Sequence, residues 1–346
     1  PSRPPPPASR LTVHGYLTQG IAASTGVPFY GMERHPSTDF RYAAVQARWA
    51  ATPRDVFLVQ LNHRRLGRSP ITTFESDVNL NWAFYQRTFA DGTALKVGRI
   101  AVPRGIYNEL RSVGIALPTY RPPVVLYDEG AYFSETIDGV VASRTFLADR
   151  PWRIEAHAYA GGWRSLAYDT WSETYTVSRV QAEHALGGQL WLETPIEGVR
   201  VGVAAQRFAY DSSAALPATR MREWHASFDA TRERGFLRAE ALLQEYRTDR
   251  FYSGYVQLGA RVAPRLLATL EVQRSRDTDV QYGDGTLPRS FDWHRSDGIG
   301  VTWSFSPTLA LKAEHHWDRG IQLEQPGDPR DPPRFRYAIA SLTASF

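Results

Sequence analysis

From Leu11 onward, apolar and polar side chains alternate with a period of two. Leu11, Val13, Gly15 and Leu17 fall on one side of an extended chain, and Thr12, His14, Tyr16 and Thr18 on the other. Successive Cβ atoms of a strand point to opposite faces, so the pattern predicts β-strands with one apolar face. It returns at Ala43, Val45, Ala47 and Trp49, then at Phe57, Val59 and Leu61 after a tight turn at 51–54. The clearest run is 73–88, where Phe74, Val78, Leu80, Trp82 and Phe84 alternate with Glu75, Asp77, Asn79, Asn81 and Arg87. A half-buried strand of a soluble sheet rarely needs that length. The ADG turn (90–92) leads to a strand over ALKVGRI (94–100), and beyond the long segment that follows, further strands are predicted at 139–147 and around Ile154–Ala158. Others lie near 178–194, 198–211, 221–233, 235–248, 251–263, 265–276, 290–305, 308–321 and 334–346.

The linkers alternate in character. PIEG (195–198), ERG (233–235), APR (263–265) and SPT (306–308) are short, whereas 162–177, 212–220, 277–289 and 322–333 are longer and polar. Short turns at one end and long loops at the other describe a transmembrane antiparallel β-barrel. The expected fold is all-β, with the barrel over 11–346 and a proline-rich tail, PSRPPPPASR, over 1–10. Sixteen strands follow if 102–138 is a single loop; reading 129–137 as a strand gives an odd number, and single-chain bacterial barrels are even.

That segment, Val102–Asp138, fits neither a helix nor a regular strand pair. Pro103, Pro118, Pro122 and Pro123 forbid a ladder. Unstructured stretches of such length are uncommon in compact domains and are usually functional. It mixes Arg104, Arg111 and Arg121 with Glu109, Asp128, Glu129, Glu135 and Asp138, and carries Tyr107, Tyr120, Tyr127 and Tyr132. A segment of this length and character is the candidate for setting what passes through the barrel.

Composition narrows the picture. The chain has 346 residues, a net charge of +4, 23 prolines, 26 glycines and no cysteine. Without cysteine there are no disulfides, thiolate metal sites or cysteine nucleophiles. Basic residues form no cluster of the nucleic-acid kind. Mean hydropathy is −0.39, which does not argue against a membrane barrel, because lumen-facing polar residues dilute the lipid-facing ones. No apolar run approaches the ~20 residues of a membrane helix. No signal peptide is visible, so an exported chain would be the mature form.

The last strand, RFRYAIASLTASF, places Ala338, Ala340, Leu342, Ala344 and Phe346 on one face. Trp49, Trp82, Trp152, Trp224, Trp303 and Trp317 also fall on the apolar face, mostly near strand ends, where aromatic girdles belong. With the KVGR segment (Lys96–Arg99) before the long third loop, and the terminal Phe346, the chain resembles the Gram-negative outer-membrane porin superfamily. The resemblance implies a sixteen-stranded barrel in the bacterial outer membrane, a homotrimer in contact with lipid and lipopolysaccharide, and an inward-folded third loop. It also implies that loop acids face a basic cluster on the wall, and that the final segment is an assembly signal. This chain departs from it in a longer third loop with several arginines and no compact PEFGG-like motif.

Opposed acids and bases at a narrow aqueous passage focus the field on a solute. Candidate constriction residues are Arg99, Arg104, Tyr107, Glu109, Arg111, Arg121, Asp128 and Glu129. Strict alternation turns Arg99 toward lipid, and an irregularity at Gly98 is expected to turn it inward. Candidate lumen-wall residues are Arg48, Arg64, Glu75, Asp77, Arg153, Glu155, Arg238 and Arg261, with Arg200, Glu183, Glu240, Glu271 and Glu314 on the same face. No catalytic signature such as GxSxG or HExxH is present. His315 and His316 project to opposite faces, a poor arrangement for one metal. No enzyme activity, metal or cofactor is expected. The function read from the sequence is passive diffusion of small hydrophilic solutes, anionic ones among them. The alternative is a plugged structural barrel that anchors or scaffolds another envelope protein.

Overall fold

The computed structural model describes residues 10–70, 77–127, 135–148, 150–169, 176–212, 218–246, 249–280, 288–321 and 324–346; the proline tail up to residue 9 lies outside them. Sixteen strands run in chain order. The first eight are β1 Leu11–Ser24, β2 Ser37–Ala50, β3 Asp55–Leu66, β4 Asn79–Thr88, β5 Ala94–Ala101, β6 Thr136–Phe146, β7 Arg153–Asp169 and β8 Thr176–Glu193. The rest are β9 Val199–Tyr210, β10 Thr219–Arg232, β11 Gly235–Tyr246, β12 Asp249–Ala263, β13 Leu266–Thr278, β14 Ser290–Ser306, β15 Leu309–Gly320 and β16 Arg334–Ser345. Each pairs antiparallel with its sequence neighbour, and β1 also pairs with β16, which closes the barrel. Closure leaves no strand edge unpaired.

At the seam, Leu17 faces Ala344 and Ser24 faces Tyr337. Gly15 and Phe346 complete it by exchanging two backbone hydrogen bonds of 3.0 Å. The Phe346 ring covers Gly15, where an added Cβ would meet it at 2.0 Å. The terminal aromatic is thus a structural part of the closing strand pair.

Polarity runs opposite to that of a soluble core. Leu11, Val45, Val59, Leu190, Val256, Leu270, Ile299 and Leu342 are exposed on the outer face, while Gln60, Gln257, Gln273, Ser296 and Thr343 are buried inside. The outer band is what a lipid-facing surface requires. Trp49, Phe57 and Tyr85 stack near the short-turn end with centroids 5.4 and 5.1 Å apart. Trp152, Trp224, Trp303 and Trp317 are also exposed on the outer face.

Trp82 departs from the expected pattern. A register shift between Gln60 and Leu61 sets Leu80 opposite outward Leu61 but Trp82 opposite inward Gln60. Phe84 consequently packs inside, against the cluster of Ile100, Ile137, Tyr159 and Trp163. One extra residue in a ladder exchanges the faces of everything beyond it. The same device explains β7. The glycines at 161–162 look like a loop entrance, yet a shift between Gly161 and Trp163 lets the strand continue to Asp169 with Trp163 buried inside. A second inner cluster joins Phe29, Phe40, Phe335 and Tyr337 to Tyr120 and Val124 of the third loop.

Candidate constriction and inner wall

Residues 102–127 leave β5 and bind the inner wall almost all the way round. The start depends on Gly105, whose φ of 62° is costly for a side chain. A Cβ there would also lie 2.2 Å from the Tyr127 hydroxyl and 2.6 Å from Glu240. With that space free, Tyr127 Oη accepts from the backbone N–H groups of Ile106 at 2.9 Å and Tyr107 at 3.1 Å, and donates to Glu240. Glu240 of β11 also accepts from Ile106 N at 2.9 Å, Ser227 at 2.7 Å and Tyr255 at 2.7 Å, with His225 at 3.2 Å. Asn108 ties the neck by donating to the carbonyls of Val102 (2.8 Å) and Glu135 (3.0 Å).

Farther along, some backbone groups of the loop bond within its own turns and others meet wall side chains, as buried peptides must find partners. Tyr107 donates to Gln257 and accepts from Arg238 at 2.9 Å. Val125 N donates to Gln273 at 3.2 Å, and Ser253 donates to the Val125 carbonyl. Thr302 donates to Pro118 O at 2.9 Å. Gly114 opens a 3-10 turn, Gly114–Ala116, against the β1–β16 seam, where a Cβ would meet Thr18 Oγ1 at 2.2 Å and Thr343 Oγ1 at 2.4 Å. Lys312 of β15 gathers three carbonyls around this turn, those of Gly114, Leu117 and Thr119, at 2.5, 2.6 and 3.0 Å. A lysine suits the task, because its ammonium offers three rotatable donors from one point.

The loop arginines are held by different partners. Arg104 is 4% exposed, 3.7 Å from Glu223 of β10. Arg111 donates to Tyr127 O at 2.9 Å and reaches Glu135 at 3.2 Å, while Arg64 of β3 meets the same carboxylate at 3.0 Å. Burial alone would push the Glu135 carboxyl up, but the Arg111 and Arg64 guanidiniums outweigh it and bring its pKa down to about 2. Arg121 lies over the Tyr30 ring at 4.6 Å, with Phe29 and Tyr337 at 5.8 and 5.9 Å, a cation–π cage. Burial, reinforced by Glu240, raises the Tyr127 hydroxyl well above its ordinary range. Burial likewise raises Tyr107. Both therefore stay protonated donors. The porin resemblance implies an acidic loop facing a basic wall. Here, within the described residues, loop Arg104 meets wall Glu223, while Arg64, Arg238 and Lys312 show that the wall carries both signs.

The predicted residues do not all meet. Arg104, Tyr107, Arg111 and Arg121 belong to the wall-bound loop, whereas Glu109 is exposed and makes no wall bond among the described residues. Asp128 and Glu129, and Glu75 of the wall set, lie outside the described residues. Arg99 does not turn inward. Gly98 has a φ of 133°, yet the ladder continues unbroken, with Arg99 on the outer face beside Val97 and bidentate to Asp138 at 2.7 and 2.8 Å. Asp77 also lies outward, paired with Arg65 at 2.9 Å. Glu183 faces outward with Gln181 at 3.0 Å, because a shift between Glu183 and Leu186 exchanges the faces of β8.

Arg64 and Arg238 line the wall where the loop touches it. Arg238 reaches Asp229 at 3.3 Å, which also holds Arg200 at 3.1 Å. Arg48 is exposed near the short-turn end, Arg153 pairs with Glu193 there, and Glu155 pairs with His157 at 2.9 Å. Arg261 caps turn carbonyls of Glu233 (3.2 Å) and Pro264 (3.1 Å) instead of reaching the passage. Beside β1–β3 a small inner pocket remains, lined by Tyr42, Arg64, Arg111, Ser112, Tyr120 and Arg121. Sequence reasoning missed Gly105, Gly114 and Lys312. The last left a trace: the chain has only two lysines, Lys96 and Lys312, amid its many arginines.

Neither a protein-family model nor a curated protein matches the chain. Solved structures do. OmpF of Salmonella typhi, in complex with daunomycin, superposes with a TM-score of 0.68 at 11% identity, covering 97% of each chain. The outer membrane channel DcaP of Acinetobacter baumannii gives 0.60 at 9% identity, again with 97% of each covered. The trimer form of OmpT, an outer membrane protein of Vibrio cholerae, gives 0.57 at 8% identity over 97% of this chain and 99% of that one. At such identities the likeness is one of fold: the chain has the closed sixteen-stranded barrel of the outer-membrane porins.

Proposed function

We propose that the protein is an outer-membrane channel for small hydrophilic solutes, restricted by residues 102–127. The observation that carries this reading is the wall-bound loop itself. A segment bonded to inner side chains of β3, β10–β15 and the seam occupies interior space that a solute would otherwise use, which supports a restricted passage. The small inner pocket is lined by Arg41, Arg64, Arg111 and Arg121, and among the described residues Glu135 pairs with two of them, a basic lining that supports passage of anions. Swelling of liposomes containing the purified protein tests it. Small uncharged sugars and small organic anions should enter and larger sugars should not; equal entry of all sizes, or of none, contradicts the proposal.

The plugged-barrel reading has its own support in the depth of burial: Gln257 and Tyr107 are 0% exposed. Under that reading no solute enters until the loop is removed. For assembly, the proposal is a homotrimer that meets through the wall around β2–β6. Outward arginines there are neutralised in pairs, Arg41–Asp39, Arg65–Asp77 and Arg99–Asp138. Such pairs suit a contact between subunits better than one with lipid.

A further inference from the structure

The loop between β1 and β2 turns its tip inward. Phe29 and Met32 exchange backbone hydrogen bonds of 3.1 and 3.0 Å across a two-residue turn, and Phe29, Tyr30 and Met32 are all buried. Both central residues of the turn, Tyr30 and Gly31, have positive φ, 47° and 73°. Asn–Gly or Gly–Gly fills such a turn at little cost, whereas a bulky side chain at positive φ is strained. Strain of this kind persists where the surroundings over-determine it, and it marks a functional position.

The surroundings do hold the tip. Gly31 lies so close to the end of β3 that an added Cβ would sit 1.6 Å from the Leu66 carbonyl oxygen. Gly67, with a φ of 53°, leaves equally little room, since its Cβ would meet the Gly31 carbonyl oxygen at 2.4 Å. Glu324 of the β15–β16 loop then clasps two loops at once, accepting from Gly31 N at 2.5 Å and from the Ser69 hydroxyl. On the inner side the Phe29 ring stacks on His294 of β14, with centroids 5.4 Å and planes 4° apart. It also packs on Phe335 and Tyr337 of β16 at 5.1 and 5.2 Å.

So placed, the Tyr30 ring lies 4.6 Å from the Arg121 guanidinium carbon. Arg121 belongs to the third loop and lines the inner pocket, and its neighbours Tyr120 and Val124 pack in the same cluster as the hairpin. The hairpin is thus a surface on which the guanidinium rests. A carboxylate in that place would fix the guanidinium and cancel its charge. A ring fixes it through its quadrupole and brings no negative charge of its own.

We infer that the first-loop hairpin sets the charge preference of the channel by acting through Arg121. Tyr30 is the positioning residue that holds this guanidinium at the pocket, and Glu324 is the latch that keeps the hairpin in place. The inference rests on the channel reading.

The test is the reversal potential of the full chain in a planar bilayer under a KCl gradient, with single-channel conductance taken from the same records. It compares wild type with Tyr30→Phe, Tyr30→Leu, Arg121→Gln, Tyr30→Leu/Arg121→Gln and Glu324→Gln. Arg121→Gln should lower the anion-to-cation permeability ratio on the order of twofold, as one charge leaves a narrow lining. Tyr30→Leu should move the ratio the same way although Arg121 is intact. The double variant should go no further than Arg121→Gln, because the two residues act as one unit. Tyr30→Phe keeps the ring and should stay at the wild-type ratio. Glu324→Gln leaves every ring in place, should shift the ratio part of the way, and keeps the test decisive where Tyr30→Leu does not fold. A wild-type ratio in Tyr30→Leu beside a shifted Arg121→Gln overturns the inference, because the hairpin then serves packing alone. So does an unshifted Arg121→Gln, or a Tyr30→Phe that behaves like Tyr30→Leu. An unshifted Glu324→Gln overturns the latch. Conducting variants with unaltered selectivity sink this inference and leave the channel reading standing, whereas a silent wild type sinks both.

Discussion

Glu135 is where loop and wall meet electrostatically, with Arg111 from one and Arg64 from the other on a single carboxylate. Its pKa falls from the usual 4.5 to about 2 in the folded chain, so the ionised form stabilises the closed neck. The sign follows from linkage. The contribution is whole above about pH 4.5 and is lost as pH falls toward about 2. Loop anchorage should therefore loosen on acidification through that window, seen as rising conductance or open-channel noise in a planar bilayer. Glu135→Gln should show the loosened behaviour already at neutral pH and lose that part of the response. At the same scale, Arg64→Gln/Arg111→Gln should move the reversal potential in a salt gradient toward cation selectivity. Arg99→Gln should leave it unchanged, because Arg99 points outward. Alternation alone gives that orientation for Arg99, and adding a twist at Gly98 spoils it. The faces of Trp82 and Glu183 were illegible for another reason. Each lies beside a register shift, and a shift belongs to the pairing of two strands, not to either sequence.

The third loop is the element on which the proposed restriction rests. Its existence is legible, since four prolines and mixed charges forbid a ladder over that length. Its anchors are not, because a wall glutamine such as Gln257 or Gln273 looks like any lumen residue until a loop carbonyl or hydroxyl is placed beside it. Lys312 tests the anchoring. Lys312→Met removes a charged donor from three carbonyls. At about 1.5–3 kcal/mol for a hydrogen bond to a charged group, loop docking should weaken by at least about 2 kcal/mol. The barrel should remain closed and heat-modifiable on gels, while protease cleavage within 110–120 accelerates. Gly105→Ala should act at the other end of the loop, by clash with Tyr127 and Glu240. Its signature is the same accelerated cleavage with an unaltered barrel; cleavage at the wild-type rate would contradict the close approach.

At the scale of the whole molecule, the inverted polarity, the ladder closed through Phe346 and the loop-filled interior form one design. The outer band needs an apolar phase, closure satisfies the backbone within it, and the loop takes up interior space by bonding to the inner wall. Strand number could be read from period-two alternation together with the even-number rule, and most of the outer face from the alternation itself, because every strand contributes to that signal. Strand ends could not, as at β7, where glycines mark a close backbone approach inside a strand that continues. The central claim is that residues 102–127 restrict a conducting barrel. Single-channel conductance in a planar bilayer, with the intact chain and with residues 104–126 replaced by a short Gly–Ser linker, tests it most directly. The account predicts small discrete openings from the intact protein and severalfold larger ones from the deletion. Identical conductance from both would contradict it, and a silent intact protein that conducts only after deletion would identify the barrel as plugged.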